Sequence, residues 1–223
     1  MVTEGVLEKE AIELNKRFFT FNTRKRPYIF LKWAQTYDHF IAAENYEALK
    51  ISNEITNRWV HQLRSTEAAI MVGTKTALHD NPSLTTRLWQ GKNPLRIILD
   101  KQLQVPPNAA VFNDTAPVLV LNYLKEFTEG HIHFLRLDPN ENVLLALLKI
   151  LYDRSINSLI VEGGSILLQS FIDAGFWDEA IIITNTTLAI QHGIAAVRAP
   201  AGELKHRLDF MPDEVLIYKN TRQ

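Results

Sequence analysis

Residues 158–174 read SLIVEGGSILLQSFIDA, and this order of an apolar run, two glycines and a helix-like run decides the fold. The run 158–161 predicts a buried strand, and the helix beginning near Ser165 should end at Ala174, with Gly175 as its left-handed cap. Glycines let backbone amides approach an anion, and a helix start adds unsatisfied donors and a favourable dipole. The segment therefore indicates a pyrophosphate-binding turn, although a tight turn that needs glycine only for its dihedral angles has the same letters.

A second turn of this kind precedes the first along the chain. Residues 72–76 read VGTKT and again join a strand-like run through a glycine to a helix start. Two anion-binding turns suit a dinucleotide, although neither matches the GxGxxG fingerprint. Lys75 and Lys101 are candidate partners for an adenosine 2′-phosphate, but a loop lysine is more often solvated surface.

Strand-like and helix-like runs alternate on both sides of these turns. This alternation predicts one α/β domain with a largely parallel sheet. The predicted strands are 28–33, 68–72, 95–99, 118–121, 158–161, 180–184 and 215–218, and the longer predicted helices are 52–64 and 141–152.

Apolar residues recur at helical spacing in the two longer predicted helices. Ser52 is the expected cap of the first helix. Spacing predicts that the core-facing residues are Ile55, Trp59 and Leu63 in the first helix and Leu144, Leu145, Leu148 and Leu151 in the second.

Composition narrows the classes of function. The 223 residues carry a formal net charge of −1, which gives no broad signal for nucleic acid or an anionic membrane. The absence of cysteine excludes disulfides, iron–sulfur clusters and thiol nucleophiles. No metal site is expected, and the pair His131 and His133 is predicted to lie on an exposed strand face. A cytoplasmic location is the expectation, because the start of the chain lacks the apolar core of a signal peptide.

Several charged side chains are candidates for a binding site. Arg64 and Arg87 could hold a phosphate, because a guanidinium matches phosphate oxygens in bidentate geometry. Each could equally be a surface arginine at the end of an element. Asp80 and Glu162 could be simple caps in turns, and Lys32 could extend from a strand end into solvent.

The chain resembles the reductase half of the bifunctional riboflavin-biosynthesis deaminase/reductase, nearly from end to end. The segments that carry the likeness are GVLE at 5–8, LN at 14–15, FF at 18–19, RPYIFLK at 26–32, HQLR at 61–64, DNPSLTTR at 80–87, PLRIILD at 94–100 and VEGG at 161–164. Residues 1–26 resemble the connector that follows the deaminase domain in that family, which leaves 27–223 as the reductase domain. The deaminase zinc motif cannot be present without cysteine, so a separate or excised deaminase domain is a possible partner.

The resemblance implies a dihydrofolate-reductase-like three-layer α/β/α domain with a mostly parallel, mixed central sheet. It also implies NADPH as the cofactor, a small phosphorylated substrate, and a homodimer. The residues implied along the cofactor are Ala34, Thr76, Asp80, Lys101, Gly163, Gly164, Ser165, Ile166 and Leu167, and those implied around the substrate are Lys32, Arg64, Leu84, Arg87 and Glu162.

The implied reaction reduces 5-amino-6-(5-phosphoribosylamino)uracil to 5-amino-6-(5-phosphoribitylamino)uracil. On this hypothesis Lys32 and Glu162 position the sugar and manage protons, Asp80 orders donors beside the nicotinamide, and Arg64 and Arg87 hold the phosphate. Removal of one proton-transfer group should lower the rate by about 10²–10⁴-fold.

The sequence departs from the family pattern at three positions. His39 stands where the family has a glycine, and Ala48 and Lys50 stand where it has a serine and a tryptophan. Lys50 could add a cation near the phosphate. These departures keep two alternatives open: an NADPH reductase acting on another pyrimidine or pterin-like compound, and a non-catalytic binding module of the same fold.

Overall fold

The computed structural model describes residues 5–45, 49–113 and 116–222, so the departure at Ala48 lies outside the described residues. Helices α1 to α6 span Glu8–Leu14, Lys16–Arg24, Glu54–Thr66, Thr74–His79, Val143–Asp153 and Ser165–Asp173, and a short 3-10 helix spans Ala110–Phe112. Strands β1 to β12 span Tyr28–Thr36, Phe40–Ala42, Ala69–Gly73, Leu95–Leu99, Val118–Asn122, Phe127–Glu129, Ile132–Arg136, Ser158–Glu162, Glu179–Asn185, Ile194–Ala195, Glu203–Phe210 and Asp213–Lys219.

The main sheet has the strand order β11-β12-β9-β1-β8-β3-β4-β5-β7-β6. All pairs from β9 to β7 are parallel, whereas β12 and β11 at one edge and β6 at the other pair antiparallel. Strands β2 and β10 form a separate two-stranded sheet, whose Ile41 packs against the main core. The predicted mixed and mostly parallel sheet is therefore confirmed.

Helices pack on both faces of this sheet. Along β1, Ile29 and Leu31 belong to a core shared with α5 and α6, while Tyr28 and Phe30 face a second core shared with α3 and α4. Side chains of a strand alternate between its two faces, so a strand that is apolar on both faces requires a helical layer on each. The predicted three-layer α/β/α arrangement is confirmed.

The predicted strands are all present, but two details of α3 are wrong. Its cap is Asn53, whose side chain accepts the Thr56 amide, rather than Ser52. Ile55 is 63% exposed, and Val60 faces the core instead. The helix packs with Val60 toward the sheet, and this rotation about its axis leaves Ile55 in solvent while Trp59 and Leu63 remain partly buried against the core.

Helix α5 shows a similar difference. Leu145 is 55% exposed, contrary to prediction, and Leu147 is fully buried in its place. The apolar stripe of α5 is wide, so the helix could bury it in either of two rotations about its own axis. The packing of the helix on the sheet therefore decides whether Leu145 or Leu147 is buried. At the end of α6, Gly175 has φ 70°, which confirms the left-handed cap.

The sequence prediction missed the strands β2, β6, β10 and β11, and it gave β7 no bounds beyond the strand expected at His131 and His133. His133 lies within β7 and His131 just before it, and both are half-buried rather than exposed. Leu135 on the same face packs against the core shared with α5, and Arg154 Nη2 lies 2.9 Å from His133 Nδ1, so the predicted exposure of this face is wrong.

Helix α2 is attached to the amino-terminal ends of the strands. Arg17 forms a bidentate ion pair with Glu67, which precedes β3 and has a fully buried side chain. Lys16 pairs with Glu179 at the start of β9, and Arg26 pairs with Asp178 beside it. This end of the sheet is opposite to the end where the glycine turns lie.

Candidate active site

A cleft of about 1190 Å³ opens at the carboxyl ends of β1, β3, β4 and β8. In open α/β sheets, ligands bind at this edge. The predicted site residues that line the cleft are Lys32, Ala34, Arg64, Thr76, Asp80, Leu84, Lys101, Glu162, Gly163, Gly164, Ser165, Ile166 and Leu167. Parallel strands thus bring together segments that are 130 residues apart in the chain.

The two glycine turns lie against each other in one wall of the cleft. The amide of Gly164 donates to Thr76 Oγ1 over 3.0 Å, which joins the start of α6 to α4. A Cβ on Gly163 would come within 3.2 Å of Leu167 Cδ2, so the turn has little room for a side chain. No side chain caps the α6 start at Gly164. The first amides of α6 have no acceptor within the helix, and they suit an anion.

Three charged side chains meet beside the Gly163–Gly164 turn in the lining of the cleft. Glu162 at the end of β8 accepts two hydrogen bonds from Arg64, at 2.9 Å from Nε and 2.7 Å from Nη2. The Lys32 Nζ atom lies 3.6 Å from Glu162 Oε2. Lys32 and Glu162 are direct neighbours in the parallel register of β1 and β8, and this register places the two side chains together.

These contacts set the protonation of the cluster. Burial alone would raise the pKa of Glu162, but the positive charges of Arg64 and Lys32 outweigh it and lower the pKa to about 2. Burial lowers the pKa of Lys32 below its ordinary value, against the opposing effect of Glu162. Glu162 therefore remains a carboxylate, and Lys32 is the group better suited to give up a proton.

Asp80 and Leu84 lie in the segment after α4. Partial burial raises the pKa of Asp80, with His79 opposing it. Leu84 is 1% exposed and has φ 56°, an unusual backbone conformation for a branched residue in a cleft wall. Arg87 is the exception among the predicted residues, because it is exposed and donates to Ser83 Oγ over 2.8 Å outside the lining of the cleft.

The cationic candidates occupy different parts of the cleft. Lys75 and Lys101 lie on the side of the β3 and β4 ends, and Lys101 Nζ is 5.5 Å from the centre of the Tyr123 ring. Lys50 lines the wall that also includes Ile51 and Asn57. The position of His39 does have a left-handed backbone, φ 65°, and its Nδ1 is 3.0 Å from Gln35 Nε2.

Sequence reasoning missed His61 as a neighbour of the site. This residue of α3 is only 4% exposed, and it precedes Arg64 by one helical turn. The i, i+3 spacing was the available signal, because residues so spaced share a helix face.

Across the described ranges, no group of three or more histidine, aspartate or glutamate side chains is arranged to hold a metal ion. In the same ranges, none of the helices has the length and apolar character that crossing a bilayer requires.

The fold and the cleft define an α/β domain whose candidate site, at the carboxyl ends of parallel strands, combines two glycine turns with a charged cluster. The chain belongs to the RibD C-terminal domain family, whose sequence model matches residues 27–188. This result confirms the resemblance found in the sequence and, with the sheet order, the dihydrofolate-reductase-like fold.

Named relatives agree with this assignment. The riboflavin biosynthesis protein RibD of Aquifex aeolicus is 35% identical over 97% of this chain and 64% of its own length. The 2,5-diamino-6-ribosylamino-4(3H)-pyrimidinone 5′-phosphate reductase of Archaeoglobus fulgidus is 35% identical over 69% of this chain and 78% of its own. A crystal structure of a Thermotoga maritima diaminohydroxyphosphoribosylaminopyrimidine deaminase/5-amino-6-(5-phosphoribosylamino)uracil reductase superposes with a TM-score of 0.85 at 29% identity, covering 96% of this chain and 62% of that one. The chain thus spans less than two thirds of the bifunctional relatives.

Proposed function

We propose that this domain is an NADPH-dependent reductase of riboflavin biosynthesis that converts 5-amino-6-(5-phosphoribosylamino)uracil to its ribityl form. The observation that carries the proposal is that the Lys32–Glu162–Arg64 cluster and the two glycine turns line the same cleft. The relatives named as reductases of ribosylamino-pyrimidine phosphates support the same chemistry.

The residues present fit a nicotinamide dinucleotide. The uncapped start of α6 and the restricted turn at Gly163 suit a diphosphate, and the cleft has room for both a dinucleotide and a substrate. Lys75 and Lys101, on the same side of the cleft, would hold the 2′-phosphate that distinguishes NADPH from NADH. When bound, the cofactor supplies a hydride.

The charged cluster would then perform the proton chemistry. The ribosylamine opens when the bond between C1′ and the ring oxygen breaks, which leaves a carbon–nitrogen double bond at C1′ and requires a proton on the ring oxygen. Lys32, whose pKa burial lowers, would donate that proton. Glu162 would keep the ammonium in place, and Arg64 would keep Glu162 in place. The hydride accepted at C1′ completes the ribityl chain.

The substrate itself is testable, because two relatives are named for two related pyrimidines. The Archaeoglobus relative is named for a 2,5-diaminopyrimidinone and the Thermotoga structure for an aminouracil, which differ in an amino or oxo group on the ring. Incubation of the protein with each compound while following NADPH absorbance would compare them. We expect faster oxidation with the aminouracil, and no oxidation with either compound would end the proposal. NADPH binding without turnover would favour a binding module.

The phosphate contact is a second test of the site. Arg64 is engaged by Glu162 and Arg87 lies outside the lining, whereas Lys50 lines the cleft. If Arg87 holds the phosphate, it must leave Ser83 to do so. We expect Lys50→Ala and Arg87→Ala each to raise the KM for the phosphorylated substrate while leaving NADPH affinity unchanged. Equal losses of substrate and cofactor affinity would contradict the phosphate role of the residue concerned.

A deaminase domain, a homodimer and a cytoplasmic location remain predictions for this chain. The predicted boundary between a connector at 1–26 and a reductase domain at 27–223 is also a proposal. The exposed apolar residues of the connector region give a deaminase domain a surface on which to pack, and they are Val6, Leu7, Ile12, Leu14, Phe18 and Phe19.

A further inference from the structure

The segment 84–88 forms a bridge between helix α3 and the cleft. Its first residue, Leu84, is part of the cleft wall and is buried in the left-handed conformation. Its last residue, Leu88, is half exposed on the far side. The position of Leu84 in the wall therefore depends on what holds the rest of the segment.

Two side chains of α3 hold the backbone of this segment. Arg64 Nη1 donates to the carbonyl oxygen of Thr85 over 3.4 Å, and the amide of Leu88 donates to His61 Nδ1 over 3.4 Å. His61 and Arg64 are three residues apart on α3 and therefore share one face of the helix. Thr85 and Leu88 are also three residues apart, so the two hydrogen bonds lie side by side between the helix and the segment. The Arg64 link also belongs to the charged cluster of the site.

The surroundings of His61 keep it in the form that accepts this hydrogen bond. A backbone amide only donates, so Nδ1 must be unprotonated and the ring hydrogen must lie on Nε2. His61 is buried near three cations, Arg64, Arg87 and Lys32, while Glu162 acts in the opposite direction. Burial and these cations lower the pKa of His61 to about 4, so it is neutral at physiological pH.

We propose that His61 is a positioning residue for the substrate: its Nδ1 atom accepts the Leu88 amide and thereby holds the segment 84–88, whose first residue, Leu84, is part of the cleft wall. The role rests on the proposed reductase function, because it names how that site is held in shape. His61 itself is not expected to touch the reacting atoms, since it is buried and is not part of the cleft lining.

Two amide replacements that differ by one methylene group give a sharp test. In His61→Asn the side-chain amide oxygen can occupy the place of Nδ1, whereas in His61→Gln the amide lies where Nε2 was. Thr56→Val is the matched control, because Thr56 is fully buried on the same helix and its hydroxyl makes no hydrogen bond within the described residues. All three variants retain hydrogen-bonding or apolar side chains of moderate size, and none introduces a charge.

Hydrogen exchange of the Leu88 amide is the readout that needs no substrate. We expect exchange in the segment 85–88 to be faster in His61→Gln by about fivefold to tenfold, the effect of losing one hydrogen bond, and close to wild type in His61→Asn and Thr56→Val. Unchanged exchange in a folded His61→Gln variant would overturn the proposal, even if the protein proved not to be a reductase.

Steady-state kinetics test the consequence for the substrate. In His61→Gln the KM for the ribosylamino-pyrimidine phosphate should rise by about fivefold to tenfold, with kcat and NADPH affinity nearly unchanged, and His61→Asn should restore most of the loss. An equal rise of KM in both variants and in Thr56→Val would show a merely structural effect and overturn the positioning role. An inactive wild-type protein would refute the reductase function alone, because the exchange result stands separately.

Discussion

At the scale of single residues, the site depends on how three charges compensate one another. Glu162 is buried, yet it is ionised because Arg64 and Lys32 both face it. Removing one partner of a buried ion pair leaves the other without compensation, so each substitution here changes the protonation of its neighbours as well as the contact.

If Lys32 is a proton donor, replacement by methionine and replacement by arginine should both lower the rate. We expect Lys32→Met to lower kcat by about 10²–10⁴-fold, the usual range for loss of an oriented proton-transfer group. Lys32→Arg keeps the positive charge, but its guanidinium does not lose a proton at accessible pH, so it should not restore the rate. The measurement is NADPH oxidation at saturating substrate. Recovery of the rate in Lys32→Arg would show that charge alone is needed.

The buried His61 predicts a pH dependence of stability. Its pKa is about 4 in the folded protein against 6.5 ordinarily, so the unfolded chain binds the proton more readily in this interval. The free energy of unfolding should therefore fall as the pH decreases from 6.5 toward 4, by roughly 2–3 kcal/mol from this residue at one pKa unit per ~1.4 kcal/mol.

Urea denaturation of the wild type and of His61→Asn at a series of pH values would measure this effect. The difference in unfolding free energy between the two should change by that amount across the interval, because asparagine does not titrate. The same pH slope in both proteins would assign the effect to other groups. The low pKa of Glu162 does not affect this comparison. The stability that ionised Glu162 contributes is lost only as the pH falls from about 4.5 toward 2.

At the scale of elements, the strand-turn-helix unit β8–α6 is the part of the site that depends on backbone rather than on side chains. Its turn holds the first amides of α6 at the cleft, and Thr76 of the neighbouring unit holds the Gly164 amide. A change of a few tenths of an ångström in this turn would move the donors away from a diphosphate.

Gly163→Ala tests this element directly. The added methyl would lie 3.2 Å from Leu167 Cδ2, so the turn or the leucine must shift. We expect NADPH affinity, measured by calorimetry, to weaken by about tenfold, which corresponds to roughly 1.4 kcal/mol. Gly175→Ala at the other end of α6 is the control: its φ of 70° makes alanine strained, so the melting temperature should fall while NADPH affinity stays the same. Similar NADPH affinities of the wild type and Gly163→Ala would show that this turn does not contact the cofactor.

At the scale of the whole molecule, helix α2 is attached to the main sheet although it lies in the stretch that resembles a connector. It pairs through Arg17 with the buried Glu67 and through Lys16 with Glu179. These contacts join α2 to the amino ends of strands that are distant in the sequence.

Arg17→Met measures how much this attachment contributes. The substitution leaves the carboxylate of Glu67 buried without its partner, and we expect it to lower the free energy of unfolding by about 3 kcal/mol. The exposed pair Lys149–Asp153 provides the control, since Lys149→Met should leave the free energy of unfolding nearly unchanged. Similarly small losses of unfolding free energy in both variants would show that the attachment of α2 contributes little to the stability of the fold.

The sequence by itself determined the order of the predicted strands and longer helices and both glycine turns, and its family resemblance supplied most of the residues that line the cleft. Local patterns suffice for the elements, because apolar runs and glycines act over a few neighbouring residues. Only the tertiary structure decided that Lys32 and Glu162 are register neighbours, that Arg64 binds Glu162, that Arg87 lies outside the cleft wall, and that the Leu88 amide donates to His61 Nδ1. These relations depend on sheet order and helix phase, which bring together residues far apart in the chain and which no local pattern encodes.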